Sequence, residues 1–239
     1  MATRNHAVTT REGYAIWSTS YDEERNPLIM TEEPRVTALL ESLPPPLRVL
    51  DVATGTGRWA LHLAQLGAEA TAIDESPEML VVAREKADSV GLPIRFEQGA
   101  LQEGLPFPSD HFDLVICALA LCHVPDLSGA VAECSRVLRY GGYLLITDFH
   151  PQAIVNGWET TIFRGEDAYI LPTVRHSRSA YLRAIEVSGC GVIHVEDVLV
   201  RDQPEEAILR GEDVDEFMRQ YGDWPFCLIV LARRHTAID

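Results

Sequence analysis

Short apolar runs alternate with segments of helical spacing from about residue 34 to residue 148, and no other feature limits the fold as much. The run at 47–52 leads into Asp51-Val52-Ala53-Thr54-Gly55-Thr56-Gly57, and 58–66 then shows helical spacing (Ala60, Leu61, Ala64) that stops at Gly67. Residues 70–73 read as a second strand closed by Asp74. Ser76-Pro77 predicts an N-cap followed by proline at the first helical position, with Met79, Leu80 and Ala83 as the buried stripe. Gly91-Leu92-Pro93 breaks that helix and 94–96 is a third strand. The unbroken apolar run from Phe112 to Ala118 fits the centre of a parallel sheet covered on both faces. Residues 126–139 are amphipathic (Val131, Cys134, Val137, Leu138), and 143–148 form a fifth strand after Gly141-Gly142. Such units imply right-handed βαβ crossovers and an α/β, doubly wound sheet.

After Asp148 the rhythm changes. Residues 150–178 carry Pro151, Gly157, Gly165 and Pro172 among Trp158, Phe163 and Tyr169, which predicts a folded lid or hairpin rather than slack chain. Residues 179–187 read as a helix. Residues 192–200 and 226–232 read as strands around an acidic helical stretch, forming an antiparallel edge pair. The expected architecture is therefore a mostly parallel seven-stranded sheet with an antiparallel last strand. One domain over 1–239 is expected: a cover segment at 1–33, a cofactor-binding half at 34–149, an insertion at 150–178 and a C-terminal half at 179–239.

Lys plus Arg is 20 and Asp plus Glu is 36, a net charge of −16. A surface that acidic repels phosphate backbones and anionic lipid heads, so nucleic acid and membranes are poor partners for it. No apolar run reaches the ~18 residues of a membrane span. The first residues lack the apolar core of a secretion signal, which predicts a cytoplasmic protein. Cys117, Cys122, Cys134, Cys190 and Cys227 show no Cys-x-x-Cys spacing and read as reduced, buried thiols rather than metal ligands.

The chemistry gathers at the glycine turn. In an open α/β sheet, ligands bind beyond the carboxyl ends of the strands, where the first helix offers unpaired N–H groups. Gly55 and Gly57 permit a tight turn and a close ligand. Asp74, at the end of the next strand, can accept hydrogen bonds from both hydroxyls of a ribose. These residues point to an adenosine-containing ligand. Gly55-Thr56-Gly57-Arg58-Trp59-Ala60 also satisfies the G-x-G-x-x-A dinucleotide pattern, which keeps a nicotinamide-dependent oxidoreductase open. Against it, Asp51 at the first strand end would repel a pyrophosphate and hold a cation. The Tyr-x-x-x-Lys pair of short-chain dehydrogenases is also absent.

The ordered set 49–57, Ala72-Ile73-Asp74 with Ser76-Pro77-Glu78-Met79-Leu80, 112–116, His123-Val124 with 133–138, and 141–146 resembles the class I S-adenosylmethionine-dependent methyltransferases. Trp17 to Tyr21, Asp22 and Asn26-Pro27-Leu28 look like the entry segment of its small-molecule, ubiquinone-biosynthesis-like branch. The resemblance implies that S-adenosylmethionine is the cofactor. It implies that Asp51 and the turn Ala53, Thr54, Gly55 and Gly57 hold the methionine portion, and that Asp74 takes the ribose with Glu75 nearby. Tyr21, Ala100, Leu101 and Ala118 complete the expected cofactor contacts. Ala53 stands where a first glycine is common, which predicts a slightly wider turn. Gln98-Gly99-Ala100-Leu101 lacks the acidic residue many relatives place near adenine. The stretch 117–123 lacks the Asn-Pro-Pro-Tyr sequence used on amino groups of bases, which points to a small molecule.

Methyl transfer needs nucleophile, methyl carbon and sulfur nearly in line, and alignment can supply about 7–11 kcal/mol. A general base adds roughly 10²–10⁴-fold where the acceptor is a phenol, hydroxyl or acidic carbon. His123 and His150 are the candidate bases, with Asp148 as an orienting carboxylate; the alternative for either histidine is a local cap. Oxygen is favoured over carbon or nitrogen as acceptor atom. Tyr14, Trp17 and Tyr21, spaced 3 and 4 apart, share one helix face and either pack a core or cover the sulfonium. The expected partner is a small-molecule methyl acceptor, with a homodimer allowed. A non-catalytic S-adenosylmethionine-binding module is the third reading.

Overall fold

The computed structural model describes residues 3–46, 48–204 and 214–236. Leu47, expected to open the first strand, and 205–213, part of the acidic helical stretch, lie outside the described residues. In chain order the chain forms β1 (Arg4–Ala7), α1 (Thr10–Trp17), α2 (Pro27–Glu41), β2 (Arg48–Val52), α3 (Arg58–Gln65), β3 (Glu69–Asp74), α4 (Pro77–Ser89) and β4 (Arg95–Gln98). It continues with β5 (Phe112–Ala118), α5 (Leu127–Val137), β6 (Leu138–Phe149), α6 (Pro151–Val155), β7 (Thr161–Arg164), β8 (Asp167–Ile170), α7 (Arg178–Val187), β9 (Cys190–Leu199), α8 (Val214–Tyr221) and β10 (Pro225–Arg234). No described helix is long and apolar enough to cross a membrane.

The main sheet has seven strands in the order β4-β3-β2-β5-β6-β10-β9. The first five pair in parallel, and β10 runs antiparallel to both β6 and β9. Sequence order and spatial order diverge at β2, where β3 lies on one side and β5 on the other. That reversal leaves a crevice beyond the strand ends. Val49, Leu50, Val115 and Ile116 are fully buried because helices cover both faces. On one face Val131 and Cys134 of α5 and Tyr181 and Ile185 of α7 pack on Leu50, Val115 and Ile146. On the other, Val36 of α2 and Trp59 and Leu63 of α3 pack on Val49, Ile116 and Ile229.

Local signals explain most boundaries. Ser76 caps α4 by accepting from the Met79 N–H at 3.2 Å, with Pro77 following. Asp126 caps α5 through the Gly129 N–H at 2.9 Å. β6 is longer than the apolar run 143–148 predicts, since α5 passes straight into it at Leu138. Gly141 (φ +74°) and Gly142 bend it, and a Cβ on Gly142 would lie 2.9 Å from the Asp113 carbonyl oxygen.

The expected hairpin within 150–178 is β7–β8, but its third strand was not legible. β1 joins β8 in parallel, making a small separate sheet. Three of its four residues are polar and all four are exposed, so no periodicity announces it. The pairing is backbone bonding reinforced by Asp167, which takes both His6 Nε2 at 2.8 Å and Arg4. This sheet carries α1 across the strand ends: Leu171 lies so close that a Cβ on Gly13 would meet it at 2.6 Å.

Candidate active site

Three left-handed residues in five make the turn after β2: Ala53 (φ +55°), Gly55 (φ +55°) and Gly57 (φ +84°). Ala53 is the one residue of the three that is not glycine. It adopts the glycine conformation itself, at a cost of about 1–2 kcal/mol for an L-residue. The turn closes on the Gly57 N–H to Thr54 carbonyl bond at 3.0 Å. A Cβ on Gly57 would press within 3.1 Å of the Ala83 Cβ, so this glycine also lets α4 approach.

Two carboxylates grip that turn. Asp51 is 2% exposed, and its Oδ2 accepts from Thr54 Oγ1 at 2.6 Å and from the Ala60 N–H at 2.9 Å. Asp74 Oδ2 accepts from the Gly55 N–H at 2.7 Å and its Oδ1 from the Ser76 N–H at 2.9 Å. Burial pushes both carboxyl groups up to about 6, against the lowering effect of these donors. The turn's Gly55 amide and the Ala60 amide in the first turn of α3 are therefore already spent on the protein's own carboxylates. A diphosphate would need such amides and would meet two anions instead.

The turn opens into a cleft of about 1080 Å³, part of it open to solvent. Asp51, Ala53, Thr54 and Gly55 line it from β2, and Asp74 and Glu75 from β3. Leu101 and Ala118 line it from beyond β4 and β5, and Tyr21 and His123 close it. Gly57 and Ala100 do not line it: Gly57 shapes the turn from behind, and Ala100 precedes the short helical turn Leu101–Glu103. Gly99 and Gln102 reach the cleft in place of Ala100.

His123 sits on a single helical turn, Leu121–His123, beyond β5. Its Nδ1 lies 2.7 Å from the Pro172 carbonyl oxygen, which can only accept, so Nδ1 carries the proton. Nε2 then presents a lone pair, 3.3 Å from the Tyr14 hydroxyl. Burial holds the Tyr14 hydroxyl well above its ordinary range, so Tyr14 is the donor. The spacing predicts one helix face for Tyr14, Trp17 and Tyr21. Instead α1 ends at Trp17 and Tyr21 lies in the following turn, though its ring still meets Trp17 at 4.9 Å.

Two expected catalytic residues are elsewhere. His150 is 4% exposed and caps α6: its Nδ1 accepts from the Gln152 N–H at 3.0 Å, and its Nε2 is held by Asp197 at 3.1 Å. Burial lowers its basicity. Asp148 is fully buried, with its oxygens taken by the Cys122 N–H, the Tyr181 hydroxyl and the Phe149 N–H. Neither lines the cleft. A histidine just past a strand end is as well placed to cap the next helix as to face a ligand, and here the cap wins.

Other lining residues carried weak signals or none. Arg58 is the first residue of α3, and its guanidinium is 2.6 Å from Glu32 of α2, a fully buried carboxylate that also accepts from Thr147 at 2.9 Å. Leu119 follows β5 with φ +56°, which nothing in its residue type foretells. Asp22 ties the cover to the turn, accepting from Thr56 Oγ1 at 2.7 Å and from Lys86 Nζ at 2.8 Å.

A family model described as a methyltransferase domain matches residues 50–146, the stretch that builds this turn and the central strands. Over residues 50–146 the chain carries a methyltransferase domain of the class I S-adenosylmethionine-dependent type. It is 41% identical over 132 residues to a demethylmenaquinone methyltransferase of Deinococcus radiodurans, covering 54% of this chain and 53% of that one. The corresponding Thermus thermophilus enzyme is 45% identical over 109 residues, covering 44% and 49%. The chain thus spans about half the length of the curated relatives it matches. The crystal structure of an S-adenosylmethionine-dependent methyltransferase from Mesorhizobium loti superposes with a TM-score of 0.65 at 25% identity, covering 85% of this chain and 98% of that one.

S-adenosylmethionine is the cofactor of this methyltransferase domain. The donor set suits it. The ligand bears an ammonium, a sulfonium and a ribose diol but no phosphate, and the cleft offers two buried carboxylates and an aromatic cover.

Proposed function

We propose that the chain transfers a methyl group from S-adenosylmethionine to a small organic acceptor that bears an acidic hydroxyl, with His123 as the base. The observation that carries this reading is one cleft lined by Asp51, Asp74 and His123, with the Tyr14 hydroxyl that bonds His123 Nε2 at the same wall. Asp51 would take the ammonium, with Ala53 and Thr54 beside it, and Asp74 the ribose hydroxyls together with Glu75. Leu101 would pack on the adenine, and Tyr21 and Ala118 would flank the sulfonium. When bound, the cofactor supplies an electrophilic methyl carbon. His123 Nε2 would receive the hydroxyl proton while the Pro172 carbonyl keeps the imidazole's other proton on Nδ1, with the Tyr14 hydroxyl turned from Nε2 to donate to the acceptor oxygen.

In this reading the acceptor atom is oxygen. The demethylmenaquinone named for the two relatives favours a second reading, in which a ring carbon of an aromatic quinol is methylated. Both readings remove a hydroxyl proton and both use His123. The cleft and the net charge of −16 favour a small acceptor over nucleic acid.

Calorimetry with S-adenosylmethionine and S-adenosylhomocysteine tests the cofactor arm: binding of both is expected, and silence at millimolar concentration would end the proposal. Incubation with 1,4-dihydroxynaphthalene and methyl-labelled cofactor tests the acceptor arm. The label on oxygen supports the first reading and on carbon the second. His123→Ala should lower kcat by roughly 10²–10⁴-fold without weakening S-adenosylhomocysteine.

A further inference from the structure

Asp148 occupies the end of β6 and takes no part in the cleft, yet its carboxylate is buried without a cation hydrogen-bonded to it. Such a group costs several kcal/mol to bury unless neighbouring donors compensate it. Three do: Oδ2 accepts from the Cys122 N–H and the Tyr181 hydroxyl, each at 2.7 Å, and Oδ1 from the Phe149 N–H at 2.8 Å. Cys122 is the middle residue of the turn Leu121–His123, one residue before the cleft histidine.

The same turn is gripped from the opposite side by the segment after β8. The Val174 N–H donates to the Cys122 carbonyl at 2.7 Å, and the Pro172 carbonyl takes the His123 Nδ1 proton at 2.7 Å. His176 Nε2 donates to the Val124 carbonyl at 2.8 Å, and its ring stands edge-on to Tyr181 at 5.9 Å. The insertion thus orients the imidazole, while the sheet end sets the depth of the backbone that carries it.

We infer that Asp148, supported by Tyr181, is the positioning residue of His123, fixing the turn so that Nε2 faces the cleft. This rests on His123 being the base. The groups that face the carboxylate are Cys122 and His123 on the turn, Tyr181 on α7, Cys117 on β5, Cys227 on β10 and Tyr14 on α1. Burial holds the tyrosines and thiols in their neutral forms and raises the Asp148 carboxyl as well, so its hold on the turn is one of hydrogen bonds rather than of charge.

The test compares Asp148→Asn and Tyr181→Phe with Ser135→Ala, which removes a hydroxyl bonded to the Ser188 carbonyl at 2.7 Å and touches no part of the turn. Turnover of 1,4-dihydroxynaphthalene is normalised to sites titrated with S-adenosylhomocysteine, and ¹⁵N spectra report the His123 tautomer in that complex. Asp148→Asn should lower kcat by up to about 100-fold, as misplacement of a reacting group does, with cofactor KM unchanged. Tyr181→Phe should do the same to a smaller degree, and it serves if the asparagine variant does not fold; Ser135→Ala should match the parent per site. Unaltered His123 nitrogen shifts with kcat within twofold of the parent in either variant would overturn the inference. If His123→Ala keeps full turnover, the base assignment fails, while altered nitrogen shifts in Asp148→Asn would still uphold the positioning.

Discussion

Asp51 and Asp148 end parallel strands on either side of β5 and look alike in sequence, an apolar run closed by an aspartate. Their surroundings differ. Asp51 borders the cleft, with its spent oxygen turned to Thr54 and Ala60. Asp148 is sealed under Tyr181, whose hydroxyl α7 delivers to the same carboxylate oxygen that holds Cys122. One aspartate is left with capacity for a ligand and the other has given its capacity to the protein. A strand-end carboxylate therefore becomes a binding group only where no helix covers it.

The contrast can be broken most sharply by truncation at Asp148. Asp148→Ala leaves the Cys122 and Phe149 amides and the Tyr181 hydroxyl without their acceptor in a dry interior. Stability should fall by about 3 kcal/mol or more, read as a lower urea midpoint, against a smaller fall for Asp51→Ala. Parity between the two would erase the distinction.

Asp74→Ala should act on the ligand instead, weakening S-adenosylhomocysteine by about 1–3 kcal/mol in calorimetry. Unchanged affinity would move the ribose elsewhere. Acidity sharpens the same point. Asp51 and Asp74 both titrate at about 6 in the free protein. A cationic ligand selects the ionised form, so its affinity should fall as pH drops through 6, by about tenfold per pH unit for each carboxylate that must be ionised. For folding alone the sign reverses. The native state holds these protons at a pH where the unfolded chain has released them, so their contribution to stability declines between about pH 4 and 6 as pH rises. A flat affinity profile from pH 5 to 7 would show that neither carboxylate meets the ligand's charge.

The smallest effect belongs to the turn. Ala53→Gly relieves the left-handed alanine at some cost in chain entropy, and a gain of about 0.5–1 kcal/mol in unfolding free energy is expected.

Much of the scaffold was legible because it is locally encoded. Ser76-Pro77 and Asp126 announce helix starts, and the run from Phe112 to Ala118 announces a strand buried on both sides. The Ala53–Gly57 turn with Asp51 and Asp74 was legible for the same reason, since backbone conformation and strand ends follow from nearby residues. The lengths of β6 and β1 were not: both depend on pairing with distant chain, β6 with β5 and β10, and β1 with β8.

His123 and His150 mark the boundary between the two kinds of information. Each lies just beyond a strand, and sequence alone assigns them equal standing. Pro172, far along the chain, holds the Nδ1 proton of His123 and leaves Nε2 to the Tyr14 hydroxyl at the cleft wall, while Asp197 and the start of α6 consume both nitrogens of His150. The order of strands and helices, the glycine turn and its acids were determined by residues within one βα unit of each other, where local sterics and capping act. Which acid and which imidazole reach the cleft was decided by the helices and loops that arrive from elsewhere, because a polar group's availability depends on what the rest of the fold donates to it.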